Sequence, residues 1–453
     1  LGISPETQLG KILNFDNEEY LTSSEKQYDF KVHNDISSVS KTEFKDVLLK
    51  NNYSISASGV IYDKNKKGFI PAILEAWFNE RVEFKNLMKK YKTEGDVDKT
   101  KFYHLRQLVT KVMLNSFYGV LALPGFRFYN INNAESTTAT GQQIIKFSAK
   151  MANHYYNQIC GTKDEDYCIY VDTDSIFYSS LPIIKTRYPN ADYKDDVFMT
   201  EKTLEISGEI QKFINKSYDI YAKKFHNLDE HKFDIKQELV CKSAFFVAKK
   251  RYAMSVINEE GVMLPKPHLE IKGLDVVRSS FPKAFKTFMS ETLVKILNGT
   301  DNDVINTDIV KFKKSMPNMP IQDVMINGSI KNIKKYNPRS REKFQHIKAT
   351  PAHIKAGLNY NDLLKHFKIK DIAPITNGDK VKYAYLTTNP FRLGALCIKG
   401  YQDPTSMEEI LAQYIDYNHM FDSQLQNKLQ DFYTALGWGT INSNAAAQDF
   451  FNF

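Results

Sequence analysis

Two long amphipathic patterns separated by a short polar turn constrain the fold of this 453-residue chain more than any other feature. Apolar residues recur at three- and four-residue spacings from Pro71 to about Tyr91, and again from Phe102 to Leu121. Thr93–Asp98, which contains a glycine, reads as the turn between them. The pattern predicts an antiparallel helical hairpin. The residues that carry the helical spacing are Ile73, Leu74, Trp77, Phe84, Leu87 and Met88 in the first helix, and Leu105, Leu108, Val112 and Met113 in the second.

Segments on both sides of this hairpin predict strands and one more long helix. Residues 52 to 71 alternate and then turn, which predicts a β-hairpin with its tip in the lysine-rich stretch from Asp63 to Gly68. A third helix is predicted from about Ala134 to Gln158, where Gly141 would allow the close approach of a neighbour. Tyr167 to Ser180 is β-branched and aromatic, which predicts two strands around a polar tip.

The C-terminal part of the chain has a different pattern. Beyond residue 274 it is lysine-rich and predicted to be mostly helical, as in Ser406–Tyr417 and His419–Leu436. The chain shows no internal repeat and no low-complexity linker, and single cores stop growing at roughly 250 to 300 residues. We therefore expect two or three adjoining globular units.

Composition narrows the class of protein. Hydrophobic residues make up 42% of the chain and aromatic residues 13%, which argues for a folded protein. A net charge of +8 is compatible with a polyanionic partner such as nucleic acid. The four cysteines form no CxxC pair, so the sequence predicts neither a zinc finger nor a disulfide framework. Without an apolar run of about 18 residues, we expect an intracellular protein.

Two aspartates provide the strongest chemical signal. Asp172 and Asp174 lie two residues apart between apolar, strand-like flanks, and strand periodicity would place both carboxylates on one face. Mg²⁺ prefers oxygen ligands and usually shares one or two carboxylates with substrate phosphates. An ordinary aspartate-rich turn is the alternative. A calcium-binding EF-hand loop is disfavoured because Ile176 and Phe177 occupy positions that would need a polar ligand and a glycine.

Basic and aromatic residues on the two hairpin helices form the second and third signals. Lys111, Asn115 and Tyr118 share one helical face, which offers a cation for phosphate and a ring that can pack on a base. Arg81 and Lys85, four residues apart on the preceding helix beyond Asn79, could bind one anion together. The two faces are predicted to make a cationic slot for a nucleoside triphosphate. Solvent-exposed basic faces are the alternative.

A fourth signal is a basic cluster after an apolar strand. The cluster consists of Lys249, Lys250, Arg251 and Tyr252, and it follows the apolar stretch 244–248. Such a cluster can hold a nucleic-acid backbone, although basic runs are also common on protein surfaces.

In this order, the four segments resemble the family B DNA polymerases, in particular those of the T-even bacteriophage type. Residues 111–119 are similar to the family's motif B, residues 172–175 to its motif C, and residues 249–252 to its primer-gripping KKRY segment. The other matching segments are 3–7, 126–129, 274–283, 351–355 and 358–361. The resemblance covers essentially the whole chain.

The resemblance implies an α+β right-hand polymerase. Its antiparallel-sheet palm would comprise residues 1–67 and 123–273, its helical-hairpin fingers residues 68–122, and its mostly helical thumb residues 274–453. The activity implied is template-directed DNA synthesis by two-metal phosphoryl transfer, with two Mg²⁺ ions, or Mn²⁺, as cofactors. Primer–template DNA and deoxynucleoside triphosphates would be the substrates.

The resemblance also assigns roles to residues. Asp174, with Asp172 beside it, would be catalytic and bind the metal ions, and Glu238 would be an auxiliary carboxylate. The nucleotide-binding residues implied are Arg81, Lys85, Lys111, Asn115 and Tyr118. The DNA-binding residues implied are Lys249, Lys250, Arg251, Tyr252, Arg278, His353 and Lys355.

Two further partners are implied. The tail at Phe450, Phe451 and Phe453 resembles the segment by which these enzymes hold a sliding clamp, although the rings could instead fold back on the chain itself. The family's motif A, with its metal-binding aspartate and steric-gate tyrosine, and its exonuclease lie upstream of the segment that matches residues 3–7. We therefore expect a fragment or split subunit that needs an N-terminal polymerase portion, in the cytoplasm of an infected bacterial host.

The sequence departs from the family pattern in two respects, and two alternative functions are considered beside DNA synthesis. Val171 replaces a glycine that is usual in this group, and the fingers are shorter than in T-even enzymes. A non-catalytic DNA-binding or clamp-tethering subunit is the main alternative function. An RNA-synthesising right-hand enzyme is disfavoured by the KKRY and thumb matches.

Overall fold

The computed structural model describes residues 1–16, 19–20, 26–32 and 35–441. The chain divides into two compact units, Leu1–Gln237 and Glu238–Phe453, which are treated separately below. None of the helices within the described ranges is both long enough and apolar enough to cross a lipid bilayer.

The N-terminal unit combines an antiparallel sheet with long helices. Its elements are β1 (Gln8–Ile12), β2 (Gln27–Val32), β3 (Asp35–Ser40), α1 (Lys41–Lys50), β4 (Tyr53–Ile55), β5 (Val60–Asp63), α2 (Phe69–Thr93), α3 (Val97–Leu121), α4 (Ile131–Cys160), β6 (Cys168–Asp172), β7 (Ser175–Tyr178), α5 (Leu181–Arg187) and α6 (Asp196–His226). The five-stranded sheet has the order β3-β2-β1-β5-β4, and β6 pairs with β7 separately. All of these strand pairs are antiparallel.

The predicted β-hairpin exists, but its tip is not where the sequence placed it. β4 and β5 pair antiparallel, and the turn between them falls at residues 56–59, ahead of the lysine-rich stretch. Gly59 explains the position, because its φ is +79° and an added Cβ would lie 2.6 Å from the Phe15 side chain. Only glycine allows this conformation and this close approach together. The lysines follow the second strand and lead into α2.

The predicted helical hairpin is present, with α2 and α3 packed antiparallel along most of their length. Each helix begins at a residue whose backbone is extended, and the Asp96 side chain caps α3 by accepting a hydrogen bond from the Lys99 amide at 2.9 Å. The ring centroids of Trp77 and Phe117 are 5.9 Å apart, and those of Tyr91 and Tyr103 are stacked at 5.5 Å. Aromatic contacts therefore hold the two helices together.

The apolar spacing of the second helix predicts the helix but not the face that packs. Leu105, Leu108, Val112 and Met113 are 51%, 42%, 56% and 40% exposed. Gln107 and Thr110 are buried, and they lie on the same face as Tyr103 and Phe117, whose rings contact α2. Because this face includes polar residues, apolar spacing alone does not identify it.

The third long helix and the second hairpin also match the prediction. α4 runs a few residues beyond the predicted bounds at both ends and stops at Gly161, whose φ is +67°. Gly141 faces open space, because an added Cβ would meet nothing within 4 Å, so the expected close approach is wrong.

A buried polar network ties α4 to the β4–β5 hairpin, with the Tyr62 hydroxyl donating to Asn133 and Ser136 at 3.0 and 2.9 Å.

The C-terminal unit has its own sheets and helices. Its elements are β8 (Leu239–Ala248), β9 (Arg251–Glu259), β10 (Val262–Lys272), α7 (Lys283–Leu297), α8 (Asn302–Ser315), α9 (Ile321–Val324), β11 (Ile326–Ser329), α10 (Ala352–His366), β12 (Lys380–Tyr385), β13 (Ala395–Ile398), α11 (Thr405–Tyr414), α12 (Tyr417–Phe421) and α13 (Asn427–Leu436). The strands form two antiparallel sheets, β10-β9-β8 and β11-β12-β13.

One large apolar cluster joins these elements. It includes Phe285, Leu363 and Phe432, and Phe245 of β8 packs edge-on against Phe432 at 5.6 Å. Strands β8 and β9 therefore bury residues in the same core as the C-terminal helices, which is why the compact units divide at Gln237. The prediction of a mostly helical C-terminal part missed the sheet β11-β12-β13, whose strands are short and whose first strand is far from the other two in sequence.

Candidate functional site

The two predicted carboxylates lie at the tip of the β6–β7 hairpin. Asp172 ends β6 and pairs with Ser175 at the start of β7, so Thr173 and Asp174 form a two-residue turn. The Thr173 hydroxyl donates to Asp172 Oδ1 at 3.1 Å, and the Asp174 amide donates to the Asp172 carbonyl at 2.5 Å. The turn, rather than strand alternation, brings the two aspartates to one end of the hairpin.

The backbone of this tip is strained. Thr173 has a φ of +52°, a conformation that β-branched residues rarely adopt. Strain of this kind costs on the order of 1–3 kcal/mol and tends to occur at functional sites, where surrounding structure holds it in place. At this tip the strain turns Asp174 outward, and the residue is exposed whereas Asp172 is partly buried.

The donor set at the tip is compatible with a hard divalent cation but incomplete. Asp172 and Asp174 supply carboxylate oxygens, which Mg²⁺ and Mn²⁺ accept, and such ions commonly take their remaining ligands from water and substrate phosphates. Across the described ranges, no group of three or more His, Cys, Asp or Glu side chains is arranged to hold a metal. The two aspartates therefore fit as part of a metal site whose other ligands come from elsewhere.

The ring contacts fix the register of α2 against α3. They therefore show which basic residues of the two helices lie at the same level along the helix axes. Trp77 is level with Phe117. Because the helices are antiparallel, Arg81 is level with a position four residues before Phe117. Lys111 lies about half a turn closer to the start of α3 than this position. Lys111 and Arg81 therefore lie at nearly the same level along the helix axes.

The basic residues also lie on the same side of the helical hairpin. At about 100° per residue, Arg81 and Lys85 are rotated from Trp77 by about 40° and 80°. Lys111 and Tyr118 are rotated from Phe117 in the same sense by about 120° and 100°. Because the two helices are antiparallel, residues that are rotated in the same sense from the contact lie on the same side of the hairpin. Asn115 and Asn79 are each rotated by about 160° from Phe117 and Trp77, so both point away from the contact between the helices.

Exposure differs among these residues. Lys111, Asn115 and Tyr118 are exposed, with Tyr118 at 49%. Arg81 and Lys85 are partly buried beside the aromatic contacts. The Arg81 Nε is buried and has no hydrogen-bond partner within the described part of the chain. A buried guanidinium nitrogen without a partner is costly, so Arg81 is suited to accept an anionic ligand.

The basic cluster of the C-terminal unit forms the β8–β9 turn. Lys249 and Lys250 are exposed between the paired residues Ala248 and Arg251. Lys250 has a φ of +62°, and its carbonyl faces Gly273 so closely that a Cβ there would lie 1.9 Å from the oxygen. Gly273, which the sequence reasoning did not single out, is therefore required for this turn. Its position just before the matching segment 274–283 was the available signal.

Two members of the cluster are placed differently from the prediction. Tyr252 is only 5% exposed and packs on Phe246 with ring centroids 5.3 Å apart, so it is not presented on the surface. Arg251 pairs with Asp431 at 3.0 Å and with Asp275 at 3.7 Å. Tyr252 is therefore buried and Arg251 is partly exposed and held by ion pairs, whereas Lys249 and Lys250 are exposed.

The remaining predicted DNA-binding residues are spread over the C-terminal unit. Arg278 is 64% exposed and pairs with Asp275 at 3.0 Å. His353 and Lys355 lie in the first turn of α10 and are partly buried, and burial lowers the pKa of His353. Glu238 is exposed just before β8. The tail residues Phe450, Phe451 and Phe453 lie outside the described residues.

Comparison with known proteins gives a consistent result. The family model described as DNA polymerase family B matches residues 21–436. The chain is 26% identical over 446 residues to the DNA-directed DNA polymerase of Enterobacteria phage T4, covering 85% of this chain and 48% of that protein. It is 24% identical over 464 residues to the corresponding protein of Escherichia phage RB69, covering 88% of this chain and 50% of that protein.

A more distant similarity extends to Archaea. The chain is 29% identical over 234 residues to a DNA polymerase of Pyrococcus glycovorans, covering 52% of this chain and 24% of that protein. The chain therefore spans about half the length of the phage proteins that it matches.

Proposed function

Because this chain belongs to DNA polymerase family B, we propose that it supplies the nucleotide-adding part of a template-directed DNA polymerase. The reaction is the addition of deoxynucleoside triphosphates to the 3′ end of a primer. The match of the family model over residues 21–436 carries this proposal, and the two carboxylates and the cationic hairpin support it. Residues 1–67 and 123–273 are the palm, 68–122 the fingers and 274–453 the thumb in this proposal.

The helical hairpin binds the incoming nucleotide. Arg81, Lys85 and Lys111 share one flank at similar heights, so their charges converge on a triphosphate from two helices. Arg81 offers a planar, partly desolvated donor, and the lysines offer compact charges that can follow the phosphates as they move. Positioning and charge neutralisation are most of what phosphoryl transfer requires of a protein.

Asn115 and Tyr118 act beside the phosphates. Asn115 is a neutral donor and acceptor on the same face, suited to orienting the nucleotide without adding charge. Tyr118 is exposed and followed by Gly119, so its ring can pack on the newly formed base pair with little steric hindrance. Template pairing supplies the sequence specificity.

The carboxylates act at the bond that forms. Asp174, with Asp172 beside it, would hold two Mg²⁺ or two Mn²⁺ ions. When bound, these ions would neutralise charge on the attacking and leaving oxygens. The Thr173 hydroxyl donates a hydrogen bond to Asp172 Oδ1 at 3.1 Å. Glu238 serves as an auxiliary carboxylate, and an N-terminal polymerase portion supplies the motif A aspartate.

The C-terminal unit binds the primer–template. The segment of Lys249, Lys250, Arg251 and Tyr252 binds the primer, with Lys250 and Tyr252 at its end. Arg278, His353 and Lys355 contact the duplex backbone. Phe450, Phe451 and Phe453 bind a sliding clamp. Phosphate contacts of this kind position the duplex without reading its sequence.

A reconstitution experiment tests the proposal. The chain is mixed with an N-terminal family B polypeptide that carries the exonuclease and motif A, and primer extension is measured with Mg²⁺. We expect extension, and a loss of about 10²- to 10³-fold in Asp174→Asn, the scale on which an enzyme slows when one group that stabilises transition-state charge is removed. Asp164→Asn is the matched control, because it makes the same change in an exposed loop before β6.

A second candidate function is a non-catalytic DNA-binding or clamp-tethering subunit. The observation that favours it is the lack of a third metal-binding side chain beside Asp172 and Asp174 in the described ranges. This candidate predicts that the two polypeptides bind each other and bind primer–template DNA without extension. Extension that is equally fast in Asp174→Asn would contradict the catalytic proposal as well.

A further inference from the structure

We propose that Asp275 is a positioning residue that holds the Lys249–Lys250 turn in the conformation that engages the primer end. The inference rests on the proposed function of that turn and adds a residue and a mechanism to it. It depends on contacts within the C-terminal unit alone.

The first observation is that one short segment contacts the turn at two points. Gly273 presses against the Lys250 carbonyl, where an added Cβ would lie at 1.9 Å. Two residues later, the Asp275 carboxylate pairs with Arg251, the residue that follows the turn. Leu274 and Val276 are each 1% exposed, so the segment between and beyond these contacts is anchored in the apolar core.

The second observation is that Asp275 is shared by two arginines. Its Oδ2 lies 3.7 Å from Arg251 and its Oδ1 lies 3.0 Å from Arg278, and its side chain is only 14% exposed. Arg251 also pairs with Asp431 of α13 at 3.0 Å. Arg251 is therefore held between a core-anchored segment and a C-terminal helix.

The third observation concerns Lys428, which lies on α13 one turn before Asp431. Burial lowers the pKa of its ammonium group, and both aspartates and both arginines act on it electrostatically. It donates to the Gln424 carbonyl at 2.6 Å and lies 5.4 Å from the Phe281 ring centroid. The network thus contains three cations and two carboxylates, so its net charge is +1 when all are ionised.

Lys250 adopts a left-handed backbone conformation that costs a non-glycine residue free energy. The turn therefore needs external contacts to stay in this conformation. Gly273 supplies one such contact through the backbone, and Asp275 supplies another by fixing Arg251. Without the carboxylate, Arg251 loses an acidic partner and the turn loses a support.

A positioning role for Asp275 and an effect of its charge alone predict opposite changes in DNA affinity for the Asp275→Asn variant. Asp275→Asn removes a negative charge next to a polyanion site, so an effect of charge alone would tighten DNA binding. A positioning role predicts weaker binding, because the two lysines no longer meet the phosphates together. The sign of the change therefore distinguishes the two explanations.

The experiment measures the affinity of the full chain for a primer–template junction over a range of salt concentrations. We expect Asp275→Asn to weaken binding by about tenfold or more, as misplacement of binding groups can do. The slope of log affinity against log salt concentration should also become shallower. The change should correspond to the loss of up to about two phosphate contacts. Asp275→Glu, which keeps the charge, should restore part of the affinity.

Asp323→Asn is the matched control. It removes an equally charged partner from an ion pair with Lys283 at 3.1 Å, within the same unit but outside this network. It should leave junction binding unchanged or slightly tighter. Thermal unfolding of each variant shows whether the chain remains folded.

A double-mutant cycle separates this inference from the proposed function. In a Lys249→Ala, Lys250→Ala background, Asp275→Asn should have no further effect on junction affinity, because it acts through those lysines. If Asp275→Asn binds as tightly as the wild type, or costs the same in both backgrounds, the positioning role is wrong while the function of the turn stands. If removing the two lysines has no effect, both are wrong.

Discussion

His226 shows how a single buried residue sets a testable property of the chain. It is fully buried at the end of α6, and its Nδ1 lies 2.7 Å from the Ile55 carbonyl. A carbonyl can only accept, so Nδ1 carries the proton and donates. Nε2 is buried and has no partner among the described residues, and burial lowers the pKa of the ring to about 4.

The pH dependence follows from this shift. Between pH 4 and 6.5 the unfolded chain binds a proton at His226 that the folded chain excludes, so stability is fully present above pH 6.5 and falls as the pH is lowered. At pH 5 the loss is about 2 kcal/mol relative to pH 7. His226→Asn keeps a donor for Ile55 but does not titrate, so its unfolding free energy should fall less over this range.

Urea unfolding at pH 7 and pH 5 measures the difference between the two proteins. The His226→Asn variant should lose about 2 kcal/mol less than the wild type over this interval. Equal losses in the two proteins would show that the histidine is not the group responsible.

At the residue scale, the sequence identified side chains better than it identified their surroundings. Asp172 and Asp174 were found from their spacing, but the strained turn at Thr173 that joins them could not be read from strand periodicity. Tyr252 was assigned to DNA binding from its place in the KKRY segment, and the sequence did not show that its ring is buried against Phe246. Burial depends on contacts that are distant in the sequence.

At the element scale, the α2–α3 hairpin shows where periodicity is sufficient and where it is not. Two helices and a connecting turn follow from apolar spacing and from the Asp96 cap. The face of α3 that packs does not follow from apolar spacing, because it includes the buried polar residues Gln107 and Thr110. The choice depends on Trp77 and Tyr91 of the other helix, whose rings meet Phe117 and Tyr103.

This assignment of faces leads to a prediction with a matched pair of substitutions. Val109 lies on the exposed stripe at 59% exposure, so Val109→Gln should change the unfolding free energy by less than about 0.5 kcal/mol. Phe117→Ala removes a ring from the contact and should cost about 2–4 kcal/mol, somewhat less than a fully buried phenylalanine.

Urea unfolding of both variants measures these costs. The packing face assigned to α3 would be wrong if Val109→Gln were as destabilising as Phe117→Ala. Helical content by circular dichroism should be the same in both variants at low urea, which confirms that the difference lies in packing.

At the scale of the whole molecule, the family was predictable from the sequence, and the boundary between the compact units was not. The resemblance assigns residues 239–272 to the palm, together with the motif C hairpin. The strands in this stretch bury Phe245 and Ala253 in the core of the C-terminal unit. Contacts between residues almost two hundred positions apart, such as Phe245 and Phe432, leave no local pattern.

The chain spans about half the length of the phage polymerases that it matches. Within this chain, the central claim is that the carboxylates of the β6–β7 tip and the cationic flank of the helical hairpin act on one nucleotide.

Photocrosslinking tests this claim most directly. A photoreactive deoxynucleoside triphosphate is bound with primer–template DNA and Mg²⁺ to the reconstituted protein, and the labelled peptides are identified by mass spectrometry. We predict labelling within residues 111–118 that requires DNA and Mg²⁺ and is strongly reduced by Asp174→Asn but not by Asp164→Asn. Labelling confined to other segments, or labelling of residues 111–118 that does not depend on Asp174, would contradict the account.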